Sequence, residues 1–273
     1  IVASHISKLG SKCEFISLIG SDDPGKWLHK ELKTNSVETN LYIDKNRPTT
    51  FKKRYLVENQ KLFRVSRLDD HVVDKDITRK ILDYVEKASL NSNGIVISDF
   101  VYGLISDELI NGIIKFAKSK CIKLYGDLQC SSQIGDISRM KNFTLICPNE
   151  REARISIQNK DIGLEELCRI LIKKTNCENL IMKLGANGFI VYSQKSGVSN
   201  IQAFPALSVN PVDVSGAGDT LLSIMAAGLS SGSAIMPVAA LACCGSSIAV
   251  DTMGNKPITI ESILKKAINI IDK

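Results

Sequence analysis

Two periods of apolar residues alternate along the chain, and the places where one gives way to the other set the expected order of elements. Ile1 to Gly10 (IVASHISKLG) has the look of a helix end already under way, so part of a natural N-terminus is expected to be missing ahead of it. Cys13 to Leu18 reads as a short strand, and Gly20-Ser-Asp-Asp-Pro-Gly25 as a turn releasing into a helix near Lys26 to Leu32. From about Glu38 to Arg67 the character changes. Short extended pieces (LYI, TFKKRYLV, KLFRVSR) broken at Lys45 to Pro48 and at Glu58 to Gln60 predict a small antiparallel sheet outside the main repeat.

A helix and strand rhythm returns at Asp74. Helices are expected around 76 to 88, 107 to 118, from the Asn149 to Glu152 region, and over Leu164 to Lys174. Between them fall strand candidates at Gly94 to Ser98, Ile122 to Gly126, Phe143 to Cys147, Asn179 to Lys183 and Phe189 to Tyr192. The last third holds a glycine-rich loop at 213 to 220, a helix to about 229, a small-residue helix from about 234 to 249 and a final helix from about 260. This alternation predicts an α/β fold with a central, largely parallel sheet, helices on both faces, and a strand-built lid at about 38–67 inserted into a single domain spanning 1–273.

Composition narrows the function classes. At 273 residues and 44% hydrophobic, the chain can bury a substantial core. Lys plus Arg number 35 against 29 Asp plus Glu, but the basic residues are dispersed and aromatics make up 5%, which argues against a nucleic-acid partner. Lys52-Lys53-Arg54 is the one tight basic cluster; it reads either as a solvated strand face or as the neighbour of an anionic substrate. The eight cysteines lack metal-finger spacing and read as buried thiols of a reducing compartment. Three histidines far apart in sequence leave little material for a zinc site or a Ser/His/Asp triad. With no secretory signal in view and no uninterrupted apolar span long enough to cross a bilayer, a cytoplasmic location without a membrane partner is expected.

The chemistry concentrates where strands end. Asp213-Val-Ser-Gly-Ala-Gly-Asp219-Thr220 is an anion cradle with a carboxylate built into it. Gly216, Ala217 and Gly218 let backbone N–H groups converge at a helix start, and Asp219 in the first turn can accept a proton from a hydroxyl. The positive end of the helix favours the ionised carboxylate, which suits a general base; the plainer reading is a capping carboxylate in a glycine turn. Asn149 and Glu152 are three apart and share a helix face, where a carboxylate reaches magnesium directly or through water, or where both residues merely start the helix. Lys183 and the glycines Gly185 and Gly188 follow a strand, either letting phosphate approach the backbone or forming a hairpin turn. Asp99 and Asp127 sit where strands give way to loops, and Gly245 interrupts a small-residue helix that either admits a flat ligand or packs on the sheet.

These residues resemble the ribokinase-like, or PfkB, carbohydrate kinases. Asp213 to Asp219 matches the D-[TV]-[TS]-G-A-G-D signature and Pro148-Asn149-Glu-Arg-Glu152 the P-N-x-x-E element, and the likeness runs over essentially the whole chain. Gly20-Ser-Asp22-Asp23, Arg47-Pro48-Thr49-Thr50, Asn59 to Arg64, and Ser98-Asp99-Phe100 with Gly103 bring it closer to the kinases of heptose phosphates. The resemblance implies ATP as phosphoryl donor and D-glycero-β-D-manno-heptose 7-phosphate as acceptor, giving the 1,7-bisphosphate. Asp219 would be the base, and the N–H groups of Gly216, Ala217 and Gly218 would stabilise the transferring phosphoryl. Mg2+ would lie near Asn149 and Glu152, and a monovalent cation such as K+ near Asp213 and Val214. Nucleotide would rest between Lys183 to Gly188 and the segment from Gly245 to Gly254. The sugar would meet Lys53, Arg64, Asp99 and Asp127.

The lid would also serve a homodimer, and an adenylyltransferase, covalently linked or separate, is an implied partner. The sequence departs from the heptose-kinase pattern at Asp127-Leu128-Gln129, where Asp-Pro-Lys is usual, and at Val101-Tyr102-Gly103, where Ala-Lys-Gly is usual. Lys183 in turn replaces a threonine. Another sugar or phosphosugar acceptor, or a non-catalytic sugar- and nucleotide-binding role, are the alternatives these changes leave open.

Overall fold

Strict alternation of buried side chains builds the sheet at the centre of the molecule. A computed structural model describes residues 1–57, 60–130, 132–195 and 198–272. Strands β5 (Gly94–Asp99), β6 (Lys123–Leu128), β7 (Leu145–Ile146), β8 (Asn179–Lys183), β9 (Phe189–Lys195) and β10 (Val198–Phe204) form a six-stranded sheet in the order β10-β9-β8-β7-β6-β5. Pairing is parallel from β5 to β8 and antiparallel from β8 to β10. Within β8, Leu180 and Met182 face one core while Ile181 faces the other; in β6, Leu124 and Leu128 oppose Tyr125 in the same way. A strand buried on both faces therefore reads as one continuous apolar run.

Helices cover both faces. On one side lie α3 (Lys75–Ser89), α4 (Asp107–Lys120), α5 (Glu150–Ile157) and α6 (Leu164–Thr175). Their apolar stripes run at helical spacing, as in Ile110, Ile113 and Ala117 of α4, or Leu167, Cys168, Leu171 and Ile172 of α6. On the other side lie α1 (Val2–Lys8), α7 (Ala217–Ser230), α8 (Ile235–Val250) and α9 (Ile260–Ile271). Helix α7 is buried almost all round, with Leu221, Leu222, Ile224, Met225 and Leu229 inside. Among the described residues no helix is long and apolar enough to cross a membrane.

The segment from 38 to 67 divides differently from the expected lid. Strand β2 (Glu38–Ile43) pairs in parallel with β1 (Glu14–Ile19), and Ile16, Leu18 and Tyr42 of this pair pack against the core on the α3 to α6 side. The antiparallel part is a hairpin of β3 (Phe51–Val57) and β4 (Gln60–Arg67). Two of the three extended pieces thus pair as expected, and the first belongs to a β-α-β unit around α2 (Asp23–Thr34). The break expected at Glu58 to Gln60 lies, for Glu58 and Asn59, outside the described residues. The turn read into Gly20 to Gly25 is shorter than expected. Asp22 caps α2 by accepting the Gly25 N–H, and Asp23, Pro24 and Gly25 already form its first turn, a position proline tolerates because its missing N–H would be unpaired there. Strand β10, absent from the sequence reading, closes the sheet edge beyond β9.

Candidate active site

Parallel strands β5 to β8 bring their carboxyl ends to one edge, and the polar clusters meet there. Asp99 ends β5, Asp127 lies one residue before the end of β6, Asn149 and Glu152 start α5, and Lys183 ends β8. They adjoin a cavity of about 1260 Å3 that runs from the β3–β4 hairpin to α8, with Asp219 and the 216 to 218 backbone in its wall.

The backbone at the cradle's entrance favours glycine. Gly216 has φ +81°, and a Cβ there would stand 2.0 Å from Asn255 Oδ1. Ala217 and Gly218 open α7, where the first-turn N–H groups have no helical acceptor, and both residues line the cavity. Asp219 is 6% exposed. Burial and the Asp127 carboxylate raise its pKa, while Lys183 and the Gln129 amide pull the other way. Burial thus opposes the preference of the helix start for the ionised form, and the raised pKa makes the ionised carboxylate a stronger base than an exposed aspartate.

Gln129 and Lys183 tie the carboxylates together. Gln129 Nε2 donates to Asp219 Oδ1 at 2.7 Å and lies 3.4 Å from Asp127 Oδ2. Lys183 Nζ donates to Asp127 Oδ1 at 2.6 Å. Asp127 is 1% exposed and does not line the cavity, so the substrate contact expected of it is corrected to an anchoring role for Lys183. Asp99 does line the cavity; its Oδ1 accepts the Val101 N–H at 2.8 Å, and burial raises its pKa. That hydrogen bond holds Val101 at φ +62°, a left-handed conformation that a β-branched residue adopts only under constraint.

The P-N-x-x-E element is a capping box. Asn149 Oδ1 accepts the Glu152 N–H at 2.9 Å, and Glu152 returns Oε2 to the Asn149 N–H at 2.9 Å. Glu152 Oε1 accepts the Cys130 N–H at 3.2 Å. Each oxygen expected to meet Mg2+ is therefore already a hydrogen-bond acceptor, and among the described residues no cluster of three His, Cys, Asp or Glu is placed to hold a metal ion. Among the described residues the protein therefore supplies no full set of direct ligands for a divalent ion, and the Mg2+ role expected of Asn149 and Glu152 narrows to a contact through water. At the loop read as a monovalent-cation site, Asp213 Oδ1 accepts the Ser215 N–H at 2.9 Å, and Val250 O accepts the N–H groups of Val212 and Asp213.

Strand period decides which hairpin cations reach the cavity. Arg54 pairs with Arg64 and Lys52 with Ser66, and Lys52, Arg54 and Arg64 line the cavity. Lys53 pairs with Val65 on the opposite face, its Nζ 4.8 Å from the Tyr55 ring centroid. The expected sugar contact of Lys53 is thus corrected: its neighbours in sequence, Lys52 and Arg54, point inward instead. Lys52 Nζ lies 5.0 and 4.9 Å from the Phe100 and Tyr102 ring centroids, a cation–π arrangement that the sequence reading missed.

At the far end of the cavity stand Gly185 and Gly188, with Ser246, Ser247 and Asn255 facing them from α8 and beyond. Gly188 has φ +83°, and a Cβ would meet Phe204 O at 2.0 Å, so its first reason is the close approach of β9 to the chain after β10. Gly245 and Gly254 do not line the cavity, contrary to expectation. A Cβ on Gly245 would meet Ile224 Cδ1 at 2.2 Å, which is helix packing. The hydroxyls of Ser246 and Ser247 are buried without a hydrogen bond. One and two residues along from Gly245, their polarity was the signal that could have marked them.

A split sheet, helices on both faces and a helix-start cradle at the carboxyl edge define the ribokinase-like class of folds. Escherichia coli phosphofructokinase-2, solved in complex with potassium, superposes with a TM-score of 0.81 at 16% identity over 99% of this chain and 86% of that one. Ribokinase from Giardia lamblia gives 0.79 at 15%, covering 97% and 86%. The chain belongs to the pfkB family of carbohydrate kinases, whose model matches residues 2–261. Among curated proteins, the bifunctional protein HldE of Helicobacter hepaticus is 29% identical over 268 residues, 97% of this chain and 54% of that protein. That of Pelobacter propionicus is 26% identical over 267 residues, with 96% and 53% covered. The chain spans about half the length of these relatives.

Proposed function

We propose that the chain transfers the γ-phosphoryl group of ATP to a hydroxyl of a phosphosugar, and that the sugar is D-glycero-β-D-manno-heptose 7-phosphate, giving the 1,7-bisphosphate. The observation that carries the phosphosugar reading is the placement of Lys52, Arg54 and Arg64 on the cavity face of the hairpin, in the same cavity as Asp219 and the 216 to 218 backbone. Cationic side chains at one end suit an acceptor that already bears a phosphate, since charge-assisted hydrogen bonds to phosphate are the strong ones. The heptose assignment rests on the sequence stretches around Gly20, Arg47, Arg64 and Ser98.

In this mechanism Asp219 Oδ2 takes the proton of the acceptor hydroxyl while Gln129 holds Oδ1. The N–H groups at the head of α7 stabilise charge on the transferring phosphoryl. Nucleotide lies towards Gly185, Gly188, Ser246, Ser247 and Asn255. MgATP enters as substrate, with its metal. A monovalent cation such as K+ belongs, in this reading, at the 213–214 loop. Phe51, Tyr55, Phe63 and Val65 leave an exposed apolar face on the hairpin's outer side, which we assign to a second copy of the chain. An adenylyltransferase, on the same polypeptide or separate, is the further partner, and a cytoplasmic site of action accompanies the assignment.

The test is magnesium-dependent ADP release from ATP across heptose 7-phosphate, fructose phosphates, ribose and no sugar. Stimulation by heptose 7-phosphate alone supports the full reading. Stimulation only by another phosphosugar would keep the reaction class and overturn the heptose.

A further inference from the structure

Behind the cradle, the Asp127 carboxylate is already neutralised by a side chain of the protein. Lys183 Nζ lies 2.6 Å from Asp127 Oδ1, in a pair whose side chains are 18% and 1% exposed. Burial opposes the ammonium, yet Asp127 and Glu152 together hold it charged, and the net displacement of its pKa is upward. Glu152, 4% exposed, commits its two oxygens to the backbone N–H groups of Asn149 and Cys130. A magnesium ion demands near-octahedral oxygen ligands at about 2.1 Å, and the ammonium already seated on the Asp127 carboxylate denies it both charge and room there.

The other side of the ammonium meets the cradle. A Cβ placed on Gly218 would lie 3.3 Å from Lys183 Nζ, so the cation sits directly against the backbone whose N–H groups open α7. A fixed positive charge thus stands between a buried acidic pair and the place where phosphoryl oxygens would gather. In a desolvated wall such a charge acts strongly and needs no reorganisation during the reaction.

We propose that Lys183 is the resident counter-cation of Asp127 and Glu152, taking the place of a divalent ion held by the protein, and that its ammonium contacts the phosphoryl group in transit. This rests on the kinase reading above. The divalent ion of the reaction is then the one that arrives with ATP, and among the described residues no cluster of three His, Cys, Asp or Glu offers it a second site.

The test titrates Mn2+ into the nucleotide-free chain, followed by electron paramagnetic resonance, for wild type, Lys183→Met and Lys183→Met with Asp127→Asn. Wild type is expected to leave submillimolar Mn2+ free. Lys183→Met gains a bound Mn2+, which the second substitution removes. At saturating MgATP and phosphosugar, kcat of Lys183→Met falls about hundredfold, with the KM for ATP changed far less, as expected for charge stabilisation expressed in the transition state. Stoichiometric Mn2+ binding by the wild type, abolished by Asp127→Asn or Glu152→Gln, overturns the proposal, as does a wild-type kcat in Lys183→Met. Should Lys183→Met fail to fold, the wild-type titration decides alone. An absence of phosphoryl transfer in the wild type sinks the kinase reading, whereas the Mn2+ titration judges the counter-cation independently of turnover.

Discussion

Gln129 donates its side-chain N–H to Asp219 Oδ1 at 2.7 Å, linking the end of β6 to the first turn of α7. One carboxylate oxygen is thereby fixed, and in the proposed mechanism the other meets the acceptor hydroxyl. Gln129→Leu is expected to lower kcat by about tenfold with little change in KM, the pattern of a misplaced base. Loss of a donor to the ionised form raises the Asp219 pKa further, so the acid limb of the pH–rate profile moves to higher pH. A profile identical to wild type would show that Gln129 does not position the base.

The two faces of the hairpin separate two roles. Arg64→Ala should raise the KM for the phosphosugar by about tenfold or more, the scale of one charged hydrogen bond, while Lys53→Ala on the outer face leaves it within about twofold. Steady-state kinetics on the two variants decide; equal effects would contradict the face assignment.

Outside the cavity, Tyr55 and Phe63 stack with ring centroids 4.5 Å apart, and Phe63 is 56% exposed. If a second copy covers this face, Phe63→Lys places a charge in an apolar interface and shifts sedimentation towards the monomer. An unchanged sedimentation coefficient would remove the hairpin as the contact.

His5 couples stability to pH. It is 1% exposed, its Nδ1 accepts the Ile258 N–H at 3.3 Å, and its Nε2 lies 3.1 Å from Thr220 Oγ1. Burial lowers its pKa from 6.5 to about 4, so the fold holds the neutral ring. Below pH 6.5 the unfolded chain binds a proton that the folded chain refuses, and stability falls until pH reaches about 4. The loss over that window is about 3 kcal/mol. Urea midpoints measured across it should fall more steeply for wild type than for His5→Leu, and parallel slopes would contradict the assignment.

Residue pattern carried the elements that are buried on two sides. Asn179 to Lys183 reads as an apolar run, and β8 has those bounds. It could not carry β2, because Leu41, Tyr42 and Ile43 look the same whether the partner is a hairpin neighbour or the parallel β1. Strand β10 was hidden by the polar Ser199, Asn200 and Gln202, which suit a sheet edge. At the site, motif spacing located the cradle, the capping box and Lys183. The family resemblance put Lys53 beside the sugar, and the basic triplet could not refine this, because it does not state the phase of its strand. Gln129 appeared only as a departure from a family pattern; its bond to Asp219 joins residues 90 apart in sequence, which no local pattern encodes.

In the proposed reaction Asp219 is the base of a phosphoryl transfer to a sugar hydroxyl. Asp219→Asn keeps the size of the side chain and removes its basicity. Phosphorus NMR of the product formed from ATP and heptose 7-phosphate, run with wild type and Asp219→Asn at matched folded concentration and matched ATP occupancy, tests it most directly. Wild type is expected to give a new sugar phosphomonoester signal, and the variant a rate lower by about two to four decades, the range for losing a general base. Product formation at the wild-type rate by Asp219→Asn would contradict it.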